Sequence, residues 1–285
     1  MQNISKSSHL TGVSWIKNSV STAFTLHRQY LKNSRYPRNF SGDHAQALQH
    51  VLTSGYCILP DYLLGKACDA FAAHIAHVAA AYPQYTTMQE DTRIFGAENL
   101  NGVAMHVHCD PNMLTLANKY YGQQSCVGVT LANMLEPRQD ITLGSGGDWH
   151  RDRLTRQFKL LVYLSDVDED NGPMQLITGS NTQHIKQWMK DEKRMQYAQP
   201  QTRLSHEKVA RLIAHNPERL LTLTAKKGTA VLLDTSAIHR GMPIKSGQRF
   251  ALFNYYYPMA GFDSEAFAQK FSPRLPPNYA VEPTA

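Results

Sequence analysis

Two segments of the chain set an imidazole and a carboxylate two residues apart, His108-Cys109-Asp110 and His150-Arg151-Asp152. Chance alone supplies about 0.6 such triplets at this His and Asp content, so the surroundings must decide between them. On a β-strand, side chains i and i+2 point the same way, so His150 and Asp152 can aim at one point. A metal centre needs a further donor from a neighbouring strand. The segment GTAVLLDTSAIHRG supplies a strand, a polar turn and then His239. Two His and one carboxylate on one face leave part of the coordination shell open, the donor set of non-haem Fe(II) oxygenases. Further along, Arg249 heads the run RFALFNYYY. A guanidinium turned into an apolar interior is costly without an anion. A bound dicarboxylate would answer it with two parallel hydrogen bonds.

Other polar clusters carry less. His106, His108 and Asp110 alternate and could line one face of a strand, but Asp110 is followed by Pro111 and the helix-like NMLTLANKYYG. That cluster reads better as pocket wall or structure than as a metal site. His74 and His77 lie one turn apart on a predicted helix with no further ligand nearby, and read as surface groups. Asp166, Asp168, Glu169 and Asp170 read as a solvated acidic turn. Arg151, Arg153 and Arg156 flank the metal motif and could favour an acidic or phosphorylated substrate, or simply be solvated.

The elements that must position these groups follow from periodicity. Residues 44–53 suggest a short helix, and Tyr56–Leu59 a strand. An Ala-rich helix is expected at about 62–82, burying Leu64, Cys68, Phe71, Ile75 and Val78. Beyond residue 93 the texture becomes short strands between polar turns. Val127–Met134, Phe158–Leu164, Met174–Ile177, Thr229–Leu233 and Phe250–Tyr257 are each aliphatic, β-branched or aromatic. Many short strands of this kind suggest a sandwich or barrel. Residues 182–220 interrupt the pattern with polar, helix-favouring sequence and read as an insertion over one end of the barrel. The tail from Pro273 is Pro-rich.

GDWHRD, KLLVYLSDVDEDNGPMQLITGSN and AIHRGMPIKSGQRFALFNYY together resemble the phytanoyl-CoA dioxygenase family, and LTSGYCILPDYL resembles its opening. The likeness spans about residues 50–258. It implies a mainly β fold with flanking helices, a double-stranded β-helix (jelly-roll, cupin-like) barrel. It implies that His150, Asp152 and His239 bind Fe(II), and that Arg249 holds the distal carboxylate of the cosubstrate 2-oxoglutarate. Asn133 resembles the amide-bearing position that often helps to hold that cosubstrate. The implied reaction consumes O2, releases succinate and CO2, and hydroxylates a small molecule. Related halogenating enzymes have a small residue in place of the carboxylate, so Asp152 implies oxygenation instead. Two departures stand out. Gly241 occupies a position where many relatives have Ser, leaving Arg249 short of one helper hydroxyl, and Asn181 stands where His usually follows the Gly-Ser pair.

Composition is consistent with a globular enzyme. Apolar residues make up 42% and charged residues 18% of the 285, which argues against disorder. The net charge of +6 belongs to residues 1–42, where six basic residues face no acid, while the remainder is balanced at 23 against 23. An acid-poor, Ser- and Arg-containing segment can be a targeting peptide, but it reads better as a solvated basic arm. With a neutral body and no recognisable motif, nucleic-acid binding is not supported. No apolar run is long enough to span a membrane. Cys57, Cys68, Cys109 and Cys126 form no CxxC pair, so free thiols and a cytoplasmic location are expected. The expected organisation is a basic segment (1–42), one oxygenase domain (43–272) with its insertion at about 182–220, and the tail (273–285). Two rival readings remain at this level. A cupin-like metal enzyme would not use 2-oxoglutarate and would have no need of Arg249; a silent binding barrel would have no need of the full donor set.

Overall fold

The structure, a computed structural model, describes residues 44–100, 102–182, 186 and 202–276. The basic segment, part of the insertion and the end of the tail lie outside the described residues. The chain opens with α1 (His44–Ser54), β1 (Tyr56–Leu59) and α2 (Gly65–Ala81). On α2, Cys68, Phe71, Ile75 and Val78 are fully buried, as their three- and four-residue spacing predicts. The hairpin of β2 (Thr86–Met88) and β3 (Thr92–Phe95) leads to α3 (Gly102–His108) and α4 (Pro111–Tyr121). The strands β4 (Ser125–Leu135), β5 (Phe158–Tyr163) and β6 (Met174–Ile177) follow. After α5 (His206–His215) come β7 (Leu220–Leu223), β8 (Ala230–Asp234), β9 (His239–Gly241), β10 (Arg249–Pro258) and α6 (Ser264–Lys270).

These strands form two antiparallel sheets, of seven strands in the order β1-β8-β5-β10-β4-β3-β2 and of three in the order β7-β6-β9. The larger sheet sorts its residues by the two-residue period of a strand. Phe158, Leu160 and Val162 of β5, with Ala230 and Leu232 of β8 and Phe250 and Leu252 of β10, pack outward in one core with α1–α4. The alternate residues Leu161, Tyr163, Val231, Leu233 and Ala251 pack inward with Met174 and Leu223 of the smaller sheet. The fold is therefore the expected jelly roll: two facing sheets with an apolar interior between them and helices on the outside of one.

The structure differs from expectation in several places. Leu64, expected on the buried face of α2, is its N-cap and is exposed. The segment bearing His106 and His108 is α3, so those residues do not alternate on a strand. Asp110 caps α4, accepting from the backbone N–H of Asn112 at 2.8 Å and from the Tyr62 hydroxyl at 2.8 Å. With His108 Nδ1 held against Thr130 Oγ1 at 2.8 Å, that cluster is structural. At the described end of the insertion, Leu204, Val209 and Leu212 share a core with Trp149, Ile177 and Ile238.

Candidate active site

The metal motif does not lie on a regular strand, as its spacing had suggested. His150 forms isolated antiparallel bridges with His239 on one side and Arg203 on the other. Main-chain bonds run from Arg151 N to Thr202 O (2.8 Å) and from Asp152 N to Thr235 O (2.9 Å). Residues 149–152 thus extend the smaller sheet beyond β9 and are fixed along both edges. The result expected of a strand still holds, because local backbone hydrogen bonds turn His150 and Asp152 to the same point.

Each imidazole is oriented by its own main chain. His150 Nδ1 lies 2.8 Å from Asp148 O and His239 Nδ1 lies 2.9 Å from Ala237 O. A ring nitrogen that donates to a carbonyl leaves the other as a lone-pair donor. Both Nε2 atoms lie 3.7 Å from Asp152 Oδ1. Among the described residues, His150, Asp152 and His239 are the one group of three His, Cys, Asp or Glu side chains whose donor atoms converge, all within 4.8 Å of one another. Burial, and then the neighbouring His150, push the His239 imidazole down to about 3; burial likewise lowers His150. Both rings are accordingly neutral at physiological pH, the form that ligates a metal. Burial would raise the Asp152 carboxyl, but Lys159 and the two imidazoles overcome it and hold the group below its usual range.

Arg249 begins β10 and faces inward in the same row as Ala251. It is 2% exposed. Its Nη1 donates to Gly172 O, in the turn before β6, while its Nε and Nη2 are buried and unpartnered. Burial lowers its pKa, with Tyr163 and Asp91 acting in the opposite direction. A buried guanidinium with open donors fits an anionic oxygen pair. Asn133 lies on the adjacent strand, two pairs along: Ala251 sits opposite Asn133 on one side and Tyr163 on the other. The Asn133 amide nitrogen is engaged by Asp91 Oδ2 at 2.6 Å and Ser145 Oγ at 3.3 Å, and its Oδ1 is buried without a partner.

The departure at Gly241 has a steric cause. A Cβ there would lie 2.5 Å from Ser145 O and 2.8 Å from Ser145 N. The Gly144–Gly147 loop therefore takes the space that a side chain at 241 would need, and it brings a hydroxyl of its own to Asp91 at 2.8 Å. Asn181 is likewise accounted for, since its Nδ2 donates to Asp234 Oδ2 at 2.9 Å and to carbonyls at the end of α1. Of the flanking arginines, Arg151 is buried and its Nη1 donates to the carbonyls of Ser180 (2.8 Å) and Ser236. Arg153 stacks over Tyr257 at 5.2 Å and Arg156 over Tyr120 at 5.7 Å. The acidic turn is a surface feature in which Asp170 pairs with Lys245 and Asp166 with Lys226.

Sequence reasoning missed Lys159, Asp91, Ser145 and Tyr163. Lys159 had a visible signal: it is the lone charge in the strand FKLLVY, whose six residues are all buried. Its ammonium lies 2.6 Å from Asp152 Oδ2 and 4.3 Å above the Tyr255 ring.

A jelly roll that converges two imidazoles and a carboxylate, with a buried unpaired arginine further along the barrel, has the layout of an Fe(II)- and 2-oxoglutarate-dependent oxygenase. The comparisons agree: residues 52–251 match the phytanoyl-CoA dioxygenase (PhyH) family model, and the chain belongs to that family of oxygenases. Several solved structures share the fold at low identity. The non-haem α-ketoglutarate-dependent carbocyclase SnoK from nogalamycin biosynthesis is 15% identical, with TM-score 0.59, over 78% of this chain and 87% of its own. EctD from S. alaskensis, solved with 2-oxoglutarate and 5-hydroxyectoine, is 17% identical, with TM-score 0.57, over 80% of each chain. HygX from Streptomyces hygroscopicus, with nickel and 2-oxoglutarate bound, is 16% identical, with TM-score 0.53, over 75% of this chain and 87% of its own. A search of curated proteins found no significant match. No helix among the described residues is long and apolar enough to cross a membrane.

Proposed function

We propose that the chain hydroxylates a small organic molecule, with His150, Asp152 and His239 as the iron ligands and Arg249 as the anchor for the distal carboxylate of 2-oxoglutarate. The observation that carries this reading is the pairing of converged Nε2 and Oδ1 donors with a buried guanidinium whose Nε and Nη2 have no protein partner. When bound, iron and 2-oxoglutarate supply the activation of O2, with release of succinate and CO2 as the substrate is oxidised.

The chain's own contribution is order and exclusion of water. His150 and His239 offer neutral nitrogens already aimed by their carbonyl partners, and Asp152 offers one oxygen to the same point. Arg249 would hold the cosubstrate in one orientation, because its third donor group is committed to Gly172. Asn133 contributes chiefly as the wall beside it, since both contacts of its amide nitrogen are already made within the protein. Leu161, Val231, Ala251 and Met174 line the interior with apolar surface, which keeps competing water out of the reaction. Residues 43–272 act as one catalytic domain in this reading. A reducing cytoplasm is supported by four cysteines that are all free thiols.

A small-molecule substrate is supported by the likeness to EctD, solved with 5-hydroxyectoine. With Arg151 committed to two backbone carbonyls, the flanking arginines offer weaker support for an acidic substrate than their spacing suggested. Anaerobic titration of the apoprotein with Fe(II) and 2-oxoglutarate tests the core of the proposal. A visible charge-transfer band that requires both ligands is expected. Tight metal binding without any band on adding 2-oxoglutarate would overturn it.

A further inference from the structure

The metal-ligand carboxylate has two oxygens with different neighbours. Asp152 Oδ1 lies 3.7 Å from both imidazole Nε2 atoms. Oδ2 is turned to Lys159, whose Nζ is 2.6 Å away. Lys159 projects from β5 on the inward side, in line with Leu161 and Tyr163, and its side chain is 6% exposed. Its ammonium rests over the Tyr255 ring at 4.3 Å and near the Phe253 ring at 5.7 Å. Tyr255 is the residue opposite Lys159 on β10, so the cation is held from below by aromatic faces. An ammonium this deeply buried requires an anion, and Asp152 is the carboxylate that meets it.

Resting on the metal-centre reading above, we propose that Lys159 is a positioning residue that makes Asp152 a one-oxygen ligand. A free carboxylate beside a divalent cation can chelate with both oxygens and so occupy an extra coordination position. Here the second oxygen is retained by a fixed cation on a different strand. Chelation through both oxygens would have to pull Oδ2 away from this ion pair and leave the buried ammonium without its anion. Lys159 thereby keeps open a position that the cosubstrate or O2 must use. Its placement also has a cost, because a cation near the site opposes the metal's charge. The gain is in the number of open positions and not in affinity.

The count of metal-bound waters tests this with Mn(II) alone, read as water-proton relaxation of the Mn(II) protein without cosubstrate. In the wild-type protein the triad should leave half of an octahedral shell to water. In Lys159→Met the freed Oδ2 should displace one of those waters, lowering the bound-water relaxation by about one third. Lys159→Arg, which keeps a cation on the strand, should stay closer to wild type. An unchanged water count in Lys159→Met, with Mn(II) still bound, would overturn the proposal while leaving the metal centre intact. If Lys159→Met does not fold, the wild-type count decides, since fewer waters than half a shell means that Asp152 already chelates with both oxygens. Failure of the wild-type protein to bind Mn(II) would instead remove the metal centre itself, and the proposal with it.

Discussion

His150 and His239 exchange both of their main-chain hydrogen bonds, N–H to carbonyl in each direction at 2.9 Å, and their rings stand 4.3 Å apart between centroids. Two of the proposed ligands, far apart in sequence, are thus a directly facing pair, joined by backbone. The side chains can be changed without removing the bonds that place them.

His239→Ala should therefore separate folding from metal binding. The backbone pair survives the substitution, so the far-ultraviolet spectrum should be retained while the Fe(II) affinity collapses. Loss of one of three protein ligands leaves a site that water must complete. Anaerobic Fe(II) titration beside circular dichroism reads both quantities; wild-type affinity in the variant would remove His239 from the ligand set.

Arg249→Ala should weaken 2-oxoglutarate and leave Fe(II) binding near wild type. Truncating one partner of a buried charge pair costs about 2–5 kcal/mol, tens- to thousands-fold in affinity. The metal-dependent charge-transfer band should appear only at correspondingly higher cosubstrate. Arg249→Lys should recover only part of the loss, since an ammonium cannot offer two parallel donors.

Gly241→Ser tests the crowding by the Ser145 backbone. The hydroxymethyl group has nowhere to go without moving the 144–147 loop, and overpacking of this kind costs about 1–3 kcal/mol. The urea midpoint should fall, and the apparent affinity for 2-oxoglutarate with it. A variant as stable as wild type would mean that the loop yields freely.

Acid should destabilise the metal-free protein earlier than its surface charges alone would do. His239 is held down to about 3 and His150 is also lowered. Below the ordinary imidazole value near 6.5 the unfolded chain takes up protons that the folded chain refuses. Stability therefore falls as pH drops from about 6.5 towards 3, each group contributing a slope of at most about 1.4 kcal/mol per pH unit. Asp152, held below its usual range, acts in the same direction at still lower pH. Urea midpoints measured between about pH 7 and pH 4.5 should show the decline, and His239→Gln should flatten it.

The proposed ligands were legible through context, since one of two His-x-Asp triplets is followed by a strand and turn ending in His239 and then by Arg249. Strands β1, β4, β5, β6, β8 and β10 were legible because aliphatic, β-branched or aromatic residues dominate each of them. The strands β2, β3 and β9 were not, since TTM, TRIF and HRG are short and mix polar or charged residues into the run, and β7 adjoins the polar stretch read as an insertion. The alternation of His106 and His108 misled for a related reason: a two-residue spacing in a seven-residue element fits strand and helix alike. The flanking Arg151 looked like a surface charge, and only the fold shows the two carbonyls that bury it. The role of Gly241 depends on a loop nearly a hundred residues earlier in sequence, and no local pattern encodes that approach.

The double clamping of residues 149–152 has a wider meaning. With Thr202 and Leu204 bonded along one edge and His239 along the other, the backbone that carries the proposed donors is set by main-chain hydrogen bonds. A frame of that kind does not fold around its metal and has no means of rejecting a competitor by refusing to close. Nitrogen and oxygen donors of this type bind several first-row divalent ions with comparable geometry. Discrimination in favour of iron must then come from supply in the cell and from which ion can do the chemistry, making mismetallated but well-folded protein an expected product of overexpression.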